Sequence, residues 1–307
     1  MPDLDLLVPI VVATLGAGTP LLLAALGELV SEKSGVLNLG VEGMMLMGAA
    51  VGFAVAADSG HFALATLCGV LAGAALALVF GFLVLTCRAN QVAAGLALTI
   101  FGVGASALVG AGYTSRALPA NEAADIPLVG DLPGVGPVLL AIEPVTYLSL
   151  ACFAGVSWFL YRSRAGLVLR GVGDAPESAH AVGYPVIAIR YLAVLFGGAM
   201  AGLAGVFLSV YYTPTWVENM TAGRGWIAVA LVVFASWRPG YVLAGAYLFG
   251  GATIAQFHLQ GTALASQLLS MLPYLATIAV LVVISRSGAA ALRHMPASLG
   301  TPFHPER

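Results

Sequence analysis

Residues 161–190 read YRSRAGLVLRGVGDAPESAHAVGYPVIAIR and separate two long apolar runs. Charged residues make up only 8% of the chain, yet this stretch contains four arginines: Arg162, Arg164, Arg170 and Arg190. Lysine and arginine accumulate in the short loops of membrane proteins that stay in the cytoplasm. The stretch therefore predicts a cytoplasmic segment over residues 162–190, with apolar spans on either side of it.

The same segment carries the signals of one short helix. Asp174 can cap a helix start, Glu177 follows at the capping-box spacing, and Gly183 can adopt the left-handed stop. This pattern predicts a two-turn helix over residues 175–182. A helix of this length is marginal in water, so we expect a partner surface to hold it.

The composition is that of a membrane protein. Of the 307 residues, 60% are hydrophobic and 38 are glycine, and the mean hydropathy is +0.98. Such a chain cannot surround an apolar core with a polar shell, which excludes a soluble globular protein. The sequence therefore predicts an all-α bundle of transmembrane helices, a single domain over residues 1–307 in a lipid bilayer. No basic run is present, so we expect no nucleic-acid partner.

Apolar runs of about 20 residues, the length that crosses a bilayer, recur along the chain. They predict about nine spans, within a range of eight to ten. The predicted spans are residues 6–29, 38–57, 62–86, 91–112, 144–161, 190–211, 225–237, 240–257 and 268–285. A broken or re-entrant course is the alternative for the second and seventh of them.

The polar stretch 113–143 between the fourth and fifth spans contains four acidic residues and one arginine, which predicts an extracytoplasmic loop. If residues 162–190 are cytoplasmic, alternation places the N-terminus outside and the C-terminus in the cytoplasm. Ten of the twelve basic residues then fall inside, as the positive-inside rule expects.

Small residues recur every four positions in several spans, which predicts close helix packing. The stripes are Ala65, Gly69, Gly73, Ala77 and Gly81 in the third span, Gly48, Gly52 and Ala56 in the second, and Gly198 and Gly202 in the sixth.

Glu42 lies inside the second apolar run, where a carboxylate is costly unless it is paired, neutral or in a wet cavity. Two interpretations stay open. Glu42 lines a cavity or gate near the cytoplasmic end, or it is a structural pin that accepts hydrogen bonds from the loop at residues 33–34. Asn90 and Gln91 open the fourth span and are candidate partners of this carboxylate.

A second polar cluster occupies residues 211–226, YYTPTWVENMTAGRGW, at the predicted outer face. Trp216 and Trp226 are expected to anchor the chain at the membrane interface, which is the usual role of tryptophan at that level. Arg224 opposes the positive-inside trend, and pairing with Glu218 would explain its position.

The sequence carries no signature of catalysis. The five histidines have no metal-ligand spacing, and neither a nucleotide-binding loop nor a hydrolase motif is present. We therefore predict that the chain is not an enzyme and has no catalytic residue, metal or cofactor of its own.

Four strings resemble a known family. GELVSEKSGVLNLGVEGMMLMG (27–48), RANQVAAGLALT (88–99), GLVLRGVGDAPESAHAVG (166–183) and GRGWIAVALVVFASWRP (223–239) occur in that order. They are similar to the permease subunits of bacterial ABC importers in the ribose and branched-chain amino acid permease superfamily. The resemblance covers about residues 15–285 and is greatest to the nucleoside-type branch.

The resemblance implies a multi-pass subunit of the bacterial cytoplasmic (inner) membrane that pairs with a second, similar permease. It also implies a cytoplasmic ABC ATPase, which holds ATP and magnesium, and an extracytoplasmic substrate-binding lipoprotein of the basic membrane protein type. The implied ATPase-coupling residues are Arg170, Asp174, Pro176, Glu177, Ser178 and Gly183. Candidate translocation-pathway residues are Asn38, Glu42, Asn90, Gln91, Trp216, Asn219, Arg224 and Trp226.

Purine and pyrimidine nucleosides are the solutes that the resemblance favours, with a simple sugar or riboflavin as alternatives. An apolar pathway with few charges suits an uncharged, ring-containing solute better than an ion. The alternative of a different class is a stand-alone secondary transporter. That class needs an intramembrane ion or proton relay, for which Glu42 is a lone candidate.

Overall fold

The computed structural model describes residues 2–119, 143–258 and 294–304, together with residues 271, 275, 278 and 282. Within these residues all regular secondary structure is helical, which confirms the all-α prediction. The helices are α1 (Pro2–Lys33), α2 (Val41–Ser59), α3 (Phe62–Gly81), α4 (Gln91–Gly110), α5 (Pro144–Arg162), α6 (Arg164–Asp174), α7 (Pro176–Ala181), α8 (Val186–Val206), α9 (Arg224–Phe234) and α10 (Pro239–His258). Helices α3 and α8 continue into π-helical turns at Phe82–Thr86 and Phe207–Tyr212.

Six helices of the described chain are long and apolar enough to cross a membrane, so this is a multi-pass membrane protein. They are Val8–Lys33, Val41–Ser59, Phe62–Thr86, Gln91–Gly110, Pro144–Arg162 and Val186–Tyr212. Most of the predicted span 268–285, and residues 120–142 of the predicted loop 113–143, lie outside the described residues. The count of about nine spans and their orientation therefore stay predictions.

Small residues bring α2, α3 and α8 together in the centre of the bundle. A Cβ atom added to Gly48 would lie 2.4 Å from the carbonyl oxygen of Gly202, and one added to Gly73 would lie 2.7 Å from the Gly202 Cα. Only glycine permits backbones to approach this closely, and such contacts hold apolar helices together without a hydrophobic driving force. The predicted stripes are confirmed as packing surfaces.

Basic side chains collect at one end of the bundle, which we call the arginine end. There Lys33 Nζ donates to the His294 carbonyl oxygen at 2.6 Å, and Arg190 Nε donates to the Ser34 carbonyl oxygen at 3.0 Å. Tyr161, Arg238, Tyr241 and His294 line one pocket at the same end. The arginine end is formed by residues 33–35, 161–190, 236–241 and 294–304.

The opposite end is held by contacts between segments that are distant in sequence. Arg116 Nη1 pairs with Asp58 Oδ1 at 3.0 Å, and the Leu118 backbone N–H donates to the Pro214 carbonyl oxygen at 2.9 Å. The chain therefore enters the segment 213–223, which follows α8, from the end opposite to the arginine end.

The segment 162–190 contains one helix more than predicted. Helix α6 precedes the predicted short helix and is capped by Ser163, whose Oγ accepts from the Gly166 N–H at 2.9 Å. The helix is amphipathic and buries Leu169 and Val172, a pattern that the positive-inside signal of the arginines does not reveal. Arg190, at the boundary between the predicted loop 162–190 and the predicted span 190–211, lies inside α8 and is only 1% exposed.

The short helix itself is confirmed, but its predicted cap is wrong. Asp174 is the last residue of α6, and Ala175 is the N-cap of α7 without a side-chain cap hydrogen bond. The cause is Pro176: a residue before proline is pushed out of the helical region, and proline suits the first helical position. Gly183, with φ +98°, is the predicted left-handed stop.

Helix α2 begins deep inside the bundle. It packs on α8 through Gly48 and Gly202, but it begins seven residues before Gly48, whereas α8 begins sixteen residues before Gly202. At about 1.5 Å per residue, the first turn of α2 lies about 14 Å further into the bundle than that of α8. The predicted second span is one continuous helix from Val41, and residues 34–40 connect the arginine end to its first turn.

Helix α9 also begins inside the bundle. At 11 residues it is about half the length that crosses a bilayer. Beyond its C-terminus, Trp237 donates its indole N–H to Glu32 Oε2 at the arginine end, while Gly225 in its first turn packs against Glu42. The first turns of α2 and α9 thus meet in the interior.

Candidate functional site at the Glu42 junction

The segment 34–40 reaches the interior because side chains of α1 and α4 satisfy its backbone. The Asn38 N–H donates to Glu28 Oε1 at 2.9 Å, and the Leu37 N–H donates to Gln91 Oε1 at 2.8 Å. A non-helical segment buried among apolar helices needs such partners, since unpaired backbone groups are costly there. These two side chains therefore fix the level at which α2 begins.

Asn38 and Thr99 complete this support. Asn38 Oδ1 accepts from the Gly40 N–H at 2.9 Å, and Thr99 Oγ1 donates to the Leu39 carbonyl oxygen at 2.9 Å. Asn38 is fully buried. Its side chain stabilises the turn that precedes α2.

The carboxylate of Glu42 joins the first turn of α2 to the first turn of α9. Its Oε1 accepts from Thr221 Oγ1 at 2.6 Å and from the Gly223 N–H at 2.7 Å, and its Oε2 accepts from the Gly225 N–H at 2.6 Å. We call these four residues the Glu42 junction. Glu42 is 4% exposed, so both carboxylate oxygens are satisfied by protein donors.

The start of α9 explains why a carboxylate is stable at the junction. The first N–H groups of a helix have no partner within the helix and carry partial positive charge, so a carboxylate there is stabilised. Glu42 provides that acceptor to α9 from another helix. Charge-assisted hydrogen bonds of this kind are about twice as strong as neutral ones, which accounts for a carboxylate at this depth.

The backbone that meets Glu42 is unusual. Asn219, Ala222 and Gly223 all have positive φ, at +55°, +48° and +84°. Non-glycine residues in this region cost about 1–3 kcal/mol each and persist only where their surroundings hold them. The junction supplies that restraint through Thr221 and Gly223.

Glu42 accepts hydrogen bonds, as the structural-pin interpretation expects, but its donors are Thr221, Gly223 and Gly225 and not the predicted loop. Its role as a pin or as part of a cavity or gate stays a prediction. The loop at residues 33–34 lies at the arginine end instead. Asn90 caps α4 by accepting from the Ala93 N–H at 3.0 Å, and Gln91 supports Leu37. Neither residue pairs with Glu42, because its carboxylate already faces α9.

The four candidates from the outer cluster are distributed differently. Trp216 is fully buried against Gly110 at the end of α4, so the interface-anchor prediction is wrong for it. The segment 213–223 turns inward and takes Trp216 with it. Trp226 is 51% exposed and Asn219 is exposed.

Arg224, in the first turn of α9, donates from Nη1 to the Met220 and Thr221 carbonyl oxygens at 3.1 and 3.3 Å. It thereby braces the same turn that Glu42 holds. Its pairing with Glu218 stays a prediction.

Sequence reasoning missed Thr221 and the role of Glu28, Glu32 and Trp237. Both glutamates are fully buried, and each has one carboxylate oxygen without a hydrogen-bond partner. Glu28 and Glu32 are four residues apart on α1, which places both on one helix face. That spacing could have indicated a buried pair, but the predicted first span ended at residue 29, between the two glutamates.

The coupling candidates lie at the arginine end. Asp174, Glu177 and Ser178 are exposed, and Pro176 is partly buried. The Arg170 guanidinium carbon lies 5.4 Å from the centre of the Tyr161 ring. No residue of α7 is buried, so the helix offers its whole outer surface.

Comparison with known proteins gives one family and several relatives. The model of the family described as branched-chain amino acid transport system, permease component, matches residues 10–283. A protein named as a candidate glucose ABC transporter permease from Haloferax volcanii is 45% identical, covering 88% of this chain and 89% of its own. A guanosine ABC transporter permease protein from Bacillus subtilis is 31% identical, over 82% and 83% of the two chains.

A nucleoside ABC transporter permease protein from Lactococcus lactis is 28% identical, covering 86% of this chain and 88% of its own. No solved structure matches the chain. The residues matched by the family model include the Glu42 junction, α7 and all of α2–α10. The chain therefore belongs to the family of branched-chain amino acid transport system permease components.

Proposed function

We propose that this chain is the membrane-spanning permease subunit of an ATP-driven importer for a solute with an uncharged sugar ring. The observation that carries the proposal is the family match over residues 10–283, which contains both the junction and α7. ATP hydrolysis belongs to a separate ABC ATPase subunit. A substrate-binding lipoprotein delivers the solute, and a second, similar permease completes the pathway in the bacterial cytoplasmic membrane.

The solute class rests on what the relatives share. Their names give glucose, guanosine and nucleosides, and each of these compounds contains a sugar ring without charge. The scarcity of charged side chains in the described spans supports the same class. A free sugar and a nucleoside are the two forms that an uptake assay must separate.

In this proposal, movement of the ATPase is transmitted to the Glu42 junction through helices that are in close backbone contact. In the proposed mechanism the ATPase moves α7, and α6 moves with it. The end of α6 packs on α1, since a Cβ atom at Gly173 would lie 2.2 Å from the Lys33 carbonyl oxygen. The end of α1 continues into residues 34–40, which hold the start of α2 and therefore Glu42. Access to the pathway alternates as the first turns of α2 and α9 shift together.

Uptake by the assembled transporter tests the function. In cells that lack other importers, the chain with its ATPase, second permease and binding protein is expected to accumulate labelled glucose or labelled guanosine. Depletion of ATP should stop the uptake, whereas an uncoupler at constant ATP should not. Labelled riboflavin, the alternative solute, is tested in the same assay. Uptake that survives ATP depletion but collapses with the uncoupler would identify a secondary transporter and end the proposal.

The proposed orientation places the arginine end in the cytoplasm. We expect a Ser178→Cys variant, expressed without the ATPase subunit, to react with a membrane-impermeant maleimide only after the cells are permeabilised. A Ser115→Cys variant, at the opposite end, should react in intact cells, because both serines are exposed. Cys68, Cys87 and Cys152 must first be replaced by serine or alanine. The reverse labelling pattern would overturn the orientation.

A further inference from the structure

The C-terminal segment 294–304 folds back onto the arginine end. Lys33 Nζ donates to the His294 carbonyl oxygen at 2.6 Å, and the Gly300 N–H donates to the Gly35 carbonyl oxygen at 3.2 Å. The segment is therefore tied to the turn that follows α1 at two points, one near each of its own ends.

Ser298 connects this segment to the end of α6. Its backbone N–H and its Oγ both donate to the Gly173 carbonyl oxygen, at 3.0 and 2.6 Å. Arg190 Nη2 donates to the same Oγ at 2.8 Å, and Arg190 Nη1 donates to the Thr301 carbonyl oxygen at 3.4 Å. Because Arg190 is buried, these bonds satisfy a charge that would otherwise be costly, so the arrangement is held strongly.

The same segment contacts α7. The rings of His180 and Phe303 meet edge to face, with their centres 5.7 Å apart. Helix α7 has six residues and buries none of them, so it cannot be stable on its own. Phe303 supplies it with a packing partner that the sequence pattern of α7 does not provide.

A groove of 460 Å³ lies between α7 and the C-terminal segment. One wall is formed by residues 174–178, and the other includes Ser298, Thr301 and His304. Two exposed carboxylates, Asp174 and Glu177, stand on the α7 side. The charge of that wall suits a basic side chain presented by a partner.

We propose that residues 294–304 and α7 together form the docking surface for the ATPase subunit, with a basic side chain of that subunit in the groove. The inference rests on the proposed function and deepens it. The C-terminal segment positions α7, and it contributes half of the surface. The ATPase therefore recognises two segments that lie more than 100 residues apart in the sequence.

Retention of the ATPase in the purified transporter tests this surface. Phe303→Ala removes the ring contact, and we expect it to lower the ATPase retained per permease about threefold to tenfold, the effect of one aromatic pair. Phe303→Tyr keeps the ring and should restore retention. Phe101→Ala is the matched control, because Phe101 is an exposed phenylalanine of α4, 59% exposed, and lies outside the proposed surface.

Glu177→Arg separates this inference from the proposed function. If both Glu177→Arg and Phe303→Ala lower retention at normal permease levels, the composite surface is supported. A loss with Glu177→Arg alone refutes the role of the C-terminal segment but leaves docking at α7 intact. Unchanged retention in both variants refutes docking at this end altogether.

A cysteine pair covers the case in which Phe303→Ala lowers the permease level itself. In a background without Cys68, Cys87 and Cys152, a short bis-maleimide cross-linker applied to the double variant His180→Cys, Phe303→Cys locks the two segments together. The locked transporter should retain ATPase at the wild-type level, since the arrangement is preserved. Loss of the ATPase on locking would show that the two segments must separate for docking, and would overturn the inference.

Discussion

Replacement of Glu42 by alanine is expected to abolish uptake and to destabilise the isolated permease. The change removes the acceptor for Thr221 Oγ1 and for the N–H groups of Gly223 and Gly225. A buried donor left without a partner costs about 1–3 kcal/mol, so three of them cost about 3 kcal/mol or more. The positive-φ turn before α9 also loses the group that restrains it.

The measurements are solute uptake by the assembled transporter and thermal unfolding of the detergent-purified permease. Glu42→Gln keeps the side-chain length and one acceptor oxygen, but its amide N–H groups oppose one of the backbone donors. It should fall between wild type and Glu42→Ala in both measurements. Val217→Ala, at an exposed residue of the same segment, is the control and should match wild type. Wild-type uptake and unfolding temperature in Glu42→Ala would remove the junction from the mechanism.

The choice of Glu42 could be made from the sequence, whereas its partners could not. A carboxylate inside an apolar run is conspicuous because it must be compensated. Two of its three donors, however, are backbone N–H groups of glycines about 180 residues further along. Backbone donors have no signature in a sequence, whereas polar side chains such as Asn90 and Gln91 do, and the sequence therefore favours the wrong partners.

The short helix α7 illustrates the same limit at close range. Its existence and its stop at Gly183 were predictable, because left-handed glycine and polar residues before a helix are local signals. The cap was wrong because Asp174 was already used by α6. Whether a residue ends one helix or begins the next depends on the neighbouring element, and here Pro176 decided it.

The small-residue stripes predicted the packing of the helices better than any other feature of the sequence. Their period of four identifies one helix face, and the structure places those faces in contact at Gly48, Gly73 and Gly202. The inward course of residues 213–223 was not predictable in this way. Trp216 has the composition of an interface anchor, and only the tertiary structure shows that it fills the space beside Gly110.

Replacement of Gly205 by alanine is expected to separate α2 from α8. A Cβ atom there would lie 1.9 Å from the Met45 carbonyl oxygen and 2.8 Å from the Ala49 nitrogen. Both are backbone atoms, so no side chain can rotate away and the helices themselves must move. Overpacking of a close contact costs about 1–3 kcal/mol and occasionally more, and a rigid backbone clash belongs at the upper end of that range.

The displacement should also reach the junction, because Met45 lies one turn after Glu42 on the same helix. We therefore expect Gly205→Ala to lower the level of folded permease in membranes several-fold and to reduce uptake per folded molecule. Gly104→Ala is the matched control: Gly104 lies in α4, and a Cβ atom there would meet nothing within 4 Å. That variant should be neutral or slightly stabilising, since alanine favours a helix over glycine by about 1 kcal/mol. Equal levels and equal uptake in the two variants would mean that α2 and α8 do not depend on this contact, and that Glu42 is positioned by its hydrogen bonds alone.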